Sequence, residues 1–360
     1  NLDKNAAQTT AQGALVMNVF NHDPLRKLIR ATLEKNGVCK DACFHVSESV
    51  VLTSLRGTDS HGITLFPHYN AVVRSGRINK NPKFTFERRS PSIAVFDADA
   101  GFGHHAGIEA MALAMNMAEE TGIGAVSVKN SSHFGAAQYF ARLAPPKNML
   151  GLSFTNAPTS VLAYSSTKPF FGTNPICLLA PMLNEEPFCL DMATSSMPSN
   201  KLVNHKRTGE PIKPDMVFDE NGKTTTDPAK ACYLGPYGGY KGFGLGMMVD
   251  IFCGMLAGGP LATEMINMYK ELGSSRNLSQ FFMAIDIARF QDPLAFKTRL
   301  QDLAETIRAL PSAEGALPVR IPGDPEKKCH AERPISGNPV DEPMCEKLPG
   351  REPAYDAAGM

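Results

Sequence analysis

The sequence predicts a mixed α/β fold in which helical ends enclose a β-rich middle, and three observations carry that prediction. Apolar residues recur at helical spacing over residues 23–55. Short apolar runs that end in small polar residues fill residues 150–190, as strands do. An amphipathic stretch over residues 288–310 returns to helical spacing. We divide the chain accordingly into a helical region (1–95), a sheet domain (96–275), and a strand, helix and tail (276–360) that return to the first region.

The composition argues against two classes of partner. The 360 residues are 43% hydrophobic and 20% charged, and 36 basic residues balance 36 acidic ones. Nucleic acids and membrane surfaces bind a cationic face, so a net charge of zero predicts neither, whereas a small anion needs only one or two arginines. The most apolar stretch, Gly242–Gly259, contains Asp250 and is too short for a bilayer, so we predict a buried helix there.

The eight cysteines stand mostly among apolar neighbours, which predicts buried thiols in a reducing, cytoplasmic compartment. Cys39, Cys43 and His45 form a loose cluster, but without a second pair at ligand spacing we predict no metal site. Residues 8–13 are polar, so no secretory segment is visible at the amino end. A chain that begins at Asn1 nevertheless leaves the removal of a leader open.

The first region should consist mainly of helices. Residues 23–55 predict two helices joined through Gly37, and Ile63–Val73 predicts a third that ends near Gly76. Pro82–Val95 then predicts one or two strands with a turn at residues 90–92.

Between the second and third helices lies the densest chemical motif, Arg56-Gly57-Thr58-Asp59-Ser60-His61-Gly62. A cation, an acid, a hydroxyl and an imidazole within seven residues suggest a site, and an imidazole titrates close to neutral pH. The alternative is structural: Asp59 and Ser60 cap the next helix while His61 packs beside them.

Residues 93–128 predict a strand, a glycine-rich turn, a helix and a second strand, which is the layout of a dinucleotide-binding unit. Two details weigh against a doubly wound fold. The third glycine, Gly107, comes one place late, and the second strand ends at Lys129, where an acid would be expected. We favour a tight helix entry over a substrate or cofactor edge.

Later motifs repeat the pattern of polar residues at strand ends. Asn130–Gly135 brings a second imidazole, His133, and the small polar ends of the strands in residues 150–190 predict a polar pocket. Residues 198–230 are polar and are interpreted as a surface excursion. Lys241 stands at a predicted helix start, where amides help to bind an anion; a solvated lysine beside a core helix is the alternative. A strand over 281–287, a helix over 288–310 and a proline-rich tail complete the chain.

Taken together, these motifs resemble the type 2 malate/L-lactate dehydrogenase family, which includes malate, sulfolactate, ureidoglycolate and diketogulonate dehydrogenases and a cyclic-imine reductase. The resemblance covers about residues 20–345 and implies a non-Rossmann fold that binds NAD or NADP, with a large, mostly antiparallel sheet. It also implies a homodimer that acts on a small 2-oxo or 2-hydroxy acid, with substrate in the helical region and cofactor in the sheet domain. The motifs in question are Arg56–Gly62, Asn130–Gly135, Thr155-Asn156, Gly172–Pro175, Leu190–Ser195, Tyr240–Leu245 and Pro322–Asp324.

The resemblance also assigns roles to single residues. It makes His61 a proton donor and gives His133 the proton-transfer role of some members. We add the hypothesis that Arg56 pairs with the substrate carboxylate while Ser60 and His133 position the carbonyl. The family's cofactor contacts fall on Asp191 with Met192 and Ala193, on Lys241 with Gly242, and on Gly323 with Asp324.

Some features leave alternatives open. Asp191 either orients an imidazole or holds the cofactor ribose. Asn200 precedes Lys201 where the family has glycine, residues 99–103 replace an acidic-Asn-Gly-x-Gly stretch, and Gly337-Asn338 replaces a Gly-Ile pair. The substrate and the choice between NAD and NADP stay open. A silent binding homologue and a metal-dependent hydrolase are the rival classes.

Overall fold

The computed structural model describes residues 17–341, and side chains from residue 20 to 339. The polar amino end, Cys345 and the last part of the proline-rich tail lie outside these residues. The elements are β1 (Met17–Phe20), α1 (His22–Lys35), α2 (Lys40–Leu55), α3 (Phe66–Arg74), β2 (Thr85–Ser90), β3 (Ile93–Asp97), α4 (Gly103–Thr121), β4 (Ile123–Ser131), α5 (Gln138–Ala141), β5 (Met149–Thr155), β6 (Val161–Leu162), β7 (Pro169–Phe171), β8 (Ile176–Ala180), β9 (Phe188–Met192), α6 (Ser199–Thr208), β10 (Val217–Phe218), β11 (Thr224–Thr225), β12 (Tyr233–Leu234), α7 (Tyr240–Asp250), β13 (Leu278–Asp286), α8 (Pro293–Arg308), α9 (Asp324–Ser336) and β14 (Asn338–Asp341).

The predicted helices of the first region are confirmed. On α1, Leu25, Ile29 and Leu33 are at most 1% exposed and form one apolar face at helical spacing. That face belongs to a core shared with α2 and α3. Gly37, in the connection, has φ +83°, a left-handed conformation that glycine adopts without strain.

Seven strands form the main sheet, in the order β2-β3-β4-β13-β5-β8-β9. Every neighbouring pair is antiparallel except β3 and β4, which are parallel and connected by α4. The sheet is therefore mostly antiparallel, as the resemblance implied, and the doubly wound alternative is wrong. The glycine-turn unit of residues 93–128 exists, but it is one crossover within an antiparallel sheet.

Helix α4 covers one face of this sheet at close range. Ala106, Ala110 and Ala114 are completely buried along it and pack in one core with Phe282 of the central strand β13. A Cβ on Gly124 of β4 would lie 1.9 Å from the Ala114 carbonyl oxygen, so helix and strand touch without a side chain between them. This close layer holds the end of β4, where the candidate site begins.

Most of residues 198–230 are exposed, as predicted for a surface excursion, but the prediction missed that the segment forms regular structure. Part of the segment joins a second sheet, in the order β11-β10-β12-β6-β7, and α6 packs on it. Val217, at 0% exposed, and Leu202 share its small core with Val161. Local polarity concealed these few apolar positions because β10 and β11, the strands within the segment, have only two residues each.

The predicted helix at Gly242–Gly259 forms as α7, continued by a π-helical turn at Ile251–Met255, but it is not buried on all sides. Val249 is completely buried. Met247, Ile251 and Met255, spaced four residues apart, are 47%, 39% and 53% exposed and form an apolar stripe on the outer face. Within the described residues, none of the helices has the length and apolar character that crossing a membrane requires.

The C-terminal residues form regular structure in two places: β13 is the central strand of the main sheet, and later elements contact the first region. The predicted strand and amphipathic helix are β13 and α8, and a further helix, α9, occupies part of the predicted tail. Strand β14 pairs with β1 at the other end of the chain. Pro325 in the first turn of α9 suits a helix start, whereas the proline-rich composition concealed the helix from periodicity analysis.

Candidate active site

Two imidazoles that are 72 positions apart in sequence meet at the junction of the helical region and the main sheet. His61 ends a 3₁₀ turn that follows α2, and His133 follows the end of β4. Their ring centroids are 6.1 Å apart and the planes are inclined by 21°. The structure thus brings together the two histidines that the sequence motifs singled out.

The backbone fixes the His133 segment from behind. The amide of Gly103, at the start of α4, donates to Ser132 Oγ over 2.9 Å. A Cβ on Gly103 would lie 2.3 Å from the Ser132 carbonyl oxygen, so a larger residue would displace this segment. The glycine-rich turn therefore makes a tight helix entry against the candidate site, the arrangement favoured from sequence.

Hydrogen bonds decide which ring nitrogen of His133 carries the proton. The Gly135 amide, which can only donate, points at Nδ1 over 3.4 Å, and the Tyr69 hydroxyl lies 2.8 Å from the same atom. Burial raises the pKa of Tyr69 well above its ordinary value, so its hydroxyl stays protonated. The hydroxyl therefore donates a hydrogen bond to Nδ1. A neutral His133 therefore carries its proton on Nε2.

Both imidazoles are neutral at pH 7. Burial lowers the pKa of His61 to about 4. Burial, and then the neighbouring His61 and Arg276, lower the pKa of His133 well below its ordinary value. His61 Nδ1 lies 3.0 Å from the Ser60 hydroxyl, which accepts or donates according to the tautomer. At neutral pH His133 is therefore a hydrogen-bond donor through Nε2, and His61 has an unprotonated ring nitrogen that can accept a proton.

Arg56 lies deeper than the motif suggested. Its side chain is 1% exposed. Nε donates to Gln138 Oε1 over 2.7 Å and Nη1 donates to Glu186 Oε2 over 2.5 Å. Glu186 also accepts from Arg142 and His330; although burial opposes it, these bonds lower the pKa of Glu186 to about 2. Protein acceptors thus hold two of the guanidinium nitrogens, while Nη2 has no partner among the described residues.

Asp59 is a tether and not a helix cap. Its carboxylate accepts two bonds from Arg333 of α9, over 2.7 and 2.9 Å. The 3₁₀ turn that contains Asp59 has no side-chain cap at its start. The interpretation that Asp59 caps the next helix is therefore wrong: the carboxylate joins this motif to α9.

Asn200, which stands where the resembling family has glycine, also has a structural role. Asn200 lies in the first turn of α6, and its Nδ2 donates to the Ser60 carbonyl oxygen. Its Oδ1 accepts from the Tyr269 hydroxyl over 3.4 Å. An amide side chain at this position ties α6 to the segment that carries His61, which glycine would not do.

Asp191 lies on β9, and its Oδ2 accepts from the Gln138 backbone amide over 3.0 Å. Burial raises the pKa of Asp191 to about 6. Gln138 starts the short helix α5 that follows the His133 segment, and its side chain accepts from Arg56. Asp191 thus positions α5 through the backbone, and neither predicted role, orienting an imidazole or holding the ribose, is decided by this contact.

The segments predicted to contact the cofactor lie at the two ends of β9. Tyr237 donates from its amide to the Thr194 carbonyl oxygen over 2.9 Å, and a Cβ on Gly242 would lie 2.7 Å from that oxygen and 2.3 Å from the Tyr237 carbonyl. At the other end of β9, the Cys189 amide donates to the Pro322 carbonyl oxygen over 3.4 Å. Gly323, at φ +98°, packs against Cys189. Met192 and Ala193 lie between these two junctions.

The residues predicted to hold the cofactor differ in what they offer an anionic dinucleotide. Lys241 is exposed at the start of α7 and brings a positive charge, whereas the Gly242 amide already donates to the Tyr237 carbonyl oxygen over 2.8 Å. The place that a Cβ on Gly242 would fill is occupied by the protein's own backbone, so this glycine lets the helix start pack against Thr194 and Tyr237. Asp324, by contrast, is held by two bonds from Arg308 and one from the Ile321 amide. Residues 191–193, Lys241, Gly242 and Gly323 would therefore form the cradle, with Asp324 fixing the start of α9.

Sequence reasoning missed Tyr69 and Arg276. Tyr69 is 2% exposed and belongs to an apolar face of α3, so its pattern predicts a core residue. Arg276 stands in a loop before β13 without a motif around it, and it lines a recess together with His133, Tyr69, His68 and Arg77. Only the tertiary structure places either residue beside His133.

Comparisons with known proteins identify the class of enzyme to which this fold belongs. The chain is an enzyme of a dehydrogenase class. Residues 20–349 match the malate/L-lactate dehydrogenase family, and the chain belongs to that family. The family resemblance seen in the motifs is thereby confirmed.

Relatives of known name differ in substrate. The malate dehydrogenase of Pyrococcus horikoshii is 37% identical over 297 residues, which cover 80% of this chain and 81% of that protein. The L-sulfolactate dehydrogenase of Methanothermobacter thermautotrophicus is 33% identical over 328 residues, 90% of this chain and 93% of that protein. The solved structure of malate dehydrogenase from Entamoeba histolytica has a TM-score of 0.88 at 28% identity, and the match covers 92% of this chain and 96% of that one.

Two further relatives are named with their cofactor. The ureidoglycolate dehydrogenase (NAD(+)) of Escherichia coli (strain K12) is 30% identical and matches 84% of this chain and 87% of its own length. The (2R)-3-sulfolactate dehydrogenase (NADP(+)) of Chromohalobacter salexigens is 28% identical and matches 84% of this chain and 89% of its own length. Both nicotinamide cofactors thus occur among proteins similar to this chain.

Proposed function

We propose that the protein interconverts a small 2-hydroxy acid and its 2-oxo acid, of the malate or lactate type, with NAD or NADP. The observation that carries the proposal is the stacked pair of His61 and His133, with the proton of neutral His133 fixed on Nε2. The names of the relatives support the substrate class, and sulfolactate or ureidoglycolate is the alternative within it.

The two histidines divide the proton chemistry between them in this proposal. His133 donates a hydrogen bond from Nε2 to the substrate oxygen, while Tyr69 and Gly135 hold its Nδ1. His61, neutral because burial lowers its pKa to about 4, accepts the hydroxyl proton of a 2-hydroxy acid as a general base. Ser60, 3.0 Å from His61 Nδ1, orients that ring. The nicotinamide, when bound, exchanges hydride with the substrate carbon.

In the reverse direction, His61 must supply a proton. A substrate carboxylate beside the imidazoles raises their pKa because an adjacent negative charge stabilises the imidazolium. The predicted pairing of that carboxylate with Arg56 stays a prediction, and it would require the guanidinium to act through Nη2 or to release Glu186.

The cofactor is proposed to occupy the cradle along β9. Lys241 would contribute charge to the phosphates, while Gly242 and Gly323 let the start of α7 and the loop before α9 pack closely at the two ends of that strand. We propose also that the enzyme is a homodimer that buries the stripe of Met247, Ile251 and Met255, because exposed apolar patches mark interaction sites. The cytoplasmic location stays a prediction.

A substrate and cofactor panel tests the function. The purified protein is mixed with NADH or NADPH and, in turn, with pyruvate, oxaloacetate, sulfopyruvate and a cyclic imine carboxylate, and the absorbance of the reduced cofactor is followed. Consumption with at least one 2-oxo acid is expected. A protein that binds reduced cofactor but consumes it with none of them would instead be a silent binding homologue.

A further inference from the structure

The function proposed above needs a cation for the carboxylate of a 2-oxo acid. We propose that Arg276 is the residue that binds this carboxylate, although it lies 220 positions from the motif that contains Arg56.

Arg276 is buried but not neutralised. The residue is 5% exposed and stands in the loop that precedes the central strand β13. Its Nε donates to the Ile266 carbonyl oxygen over 3.0 Å, whereas its Nη1 is buried without a hydrogen-bond partner among the described residues. A buried cation is stable only when it is paired and its donors are satisfied. An anion is therefore missing from its surroundings.

The charged groups around Arg276 do not provide that anion. The charged residues that line the recess in the described part of the chain are Arg276 and Arg77. Arg77 donates to the Met268 and Lys270 carbonyl oxygens, so it does not neutralise Arg276. Tyr69 and Tyr269 face the guanidinium, and Tyr69 keeps its proton. Glu271 partly offsets the charge of Arg77, but among the described residues no carboxylate forms an ion pair with Arg276. An anion that enters the recess would therefore complete Arg276.

The position of the recess connects this charge to the chemistry. His133 and Ser132 form one wall, and Tyr69, which donates to His133 Nδ1, forms another. An acid whose carbonyl oxygen meets His133 Nε2 has its carboxylate within a few bonds of that oxygen. Arg56 differs from Arg276 because Glu186 already neutralises it. The geometry thus favours Arg276 as the cation that the substrate itself completes.

Either of two carboxylates satisfies this chemistry: the one next to the reacting carbonyl, present in every 2-oxo acid, or the distal one of a dicarboxylate. Arg276→Gln keeps the size and polarity of the side chain but removes the charge. We expect kcat/KM to fall about 100-fold, mainly through KM, while KM for the cofactor changes less than about twofold. A loss with both pyruvate and oxaloacetate assigns the adjacent carboxylate, and a loss with oxaloacetate alone assigns the distal one.

Matched variants separate binding from structure. Ser75→Ala removes a different tether of the same loop, the bond from Ser75 Oγ to the Leu272 carbonyl oxygen, and it should leave KM unchanged. Arg276→Lys keeps a positive charge and should recover at least about tenfold of the loss. If Ser75→Ala raises KM as much as Arg276→Gln, or if Arg276→Gln leaves KM unchanged, the proposal is overturned.

A binding measurement distinguishes this proposal from the proposed function. Oxalate carries adjacent carboxylates and needs no turnover. It should raise the melting temperature of the wild type with bound cofactor and leave that of Arg276→Gln unchanged. A wild type that is stabilised by oxalate but reduces no 2-oxo acid contradicts the function alone. Equal stabilisation of both proteins, together with an unchanged KM of Arg276→Gln for oxaloacetate, contradicts the role of Arg276.

Discussion

His133 shows how hydrogen bonds determine which nitrogen of an imidazole carries the proton. Two donors on its Nδ1, the Gly135 amide and the Tyr69 hydroxyl, leave Nε2 as the protonated nitrogen. His61 lacks such a pair of donors among the described residues, and its one close polar neighbour, Ser60, either donates or accepts. We therefore assign a fixed hydrogen-bond donor to His133 and proton transfer to His61.

Replacing His61 tests that assignment. His61→Asn should lower kcat by about 100-fold to 10,000-fold, the usual contribution of general acid–base catalysis, and leave cofactor affinity almost unchanged. Steady-state kinetics and cofactor titration measure the two effects. His22→Asn, which removes a partly exposed imidazole on α1, is the control and should keep full activity. Full turnover by His61→Asn would exclude the residue from proton transfer.

The low pKa of His61 predicts that kcat/KM depends on pH differently in oxidation and in reduction. Because burial lowers the pKa of His61 to about 4, the free enzyme has a neutral base throughout the neutral range. For oxidation of the 2-hydroxy acid, kcat/KM should rise with pH through about 4 and be flat between about pH 6 and 8. For reduction of the 2-oxo acid, kcat/KM should fall over that range as the protonated fraction falls. An oxidation profile with its inflection near 6.5 would contradict the buried base.

At the scale of elements, the start of α7 carries the proposed cofactor cradle. Gly242 approaches the Tyr237 and Thr194 carbonyl oxygens more closely than any side chain permits, whereas a Cβ on Gly244 would meet nothing within 4 Å. The two glycines belong to the same helix and differ only in what faces them. They make a matched pair for separating close approach from helix propensity.

Gly242→Ala should destabilise the protein by about 1–3 kcal/mol, because the added methyl forces backbone apart in a packed site. It should also raise KM for the cofactor at least about tenfold, since Lys241 moves with the helix start. Gly244→Ala should stabilise α7 by up to about 1 kcal/mol and leave that KM unchanged. Denaturant unfolding and cofactor titration of both variants measure this, and equal effects of the two would argue against the cradle.

Residues distant in sequence join the elements at the site. Arg333 of α9 donates to Asp59, and Asn200 of α6 donates to the carbonyl oxygen of Ser60. The segment that carries His61 is therefore held from two sides by elements that follow it by more than 130 residues. The regular elements were largely predictable because their apolar spacing is local, but these tethers were not, since one ion pair leaves no periodic signal.

The whole molecule presents the apolar stripe of α7 and its π-helical turn to the outside. We expect the protein to have twice the 38.9 kDa mass of one chain in light scattering. Ile251→Glu combined with Met255→Glu places unpaired carboxylates on the stripe, and the resulting desolvation cost should produce a monomer. Leu317→Glu, at another exposed apolar residue, is the control and should keep the dimer. A double variant that stays dimeric would place the interface elsewhere.

At this scale, the family motifs and the element types follow from the sequence by itself. Periodicity located α1, α2 and most strands of the main sheet, and the order of the motifs identified the family. The tertiary structure alone decided that Glu186 neutralises Arg56, that Tyr69 fixes the proton of His133, and that Arg276 lies buried beside it. The reason is physical: spacing along the chain reports which face of an element is apolar, whereas pairing between distant side chains depends on how the elements pack.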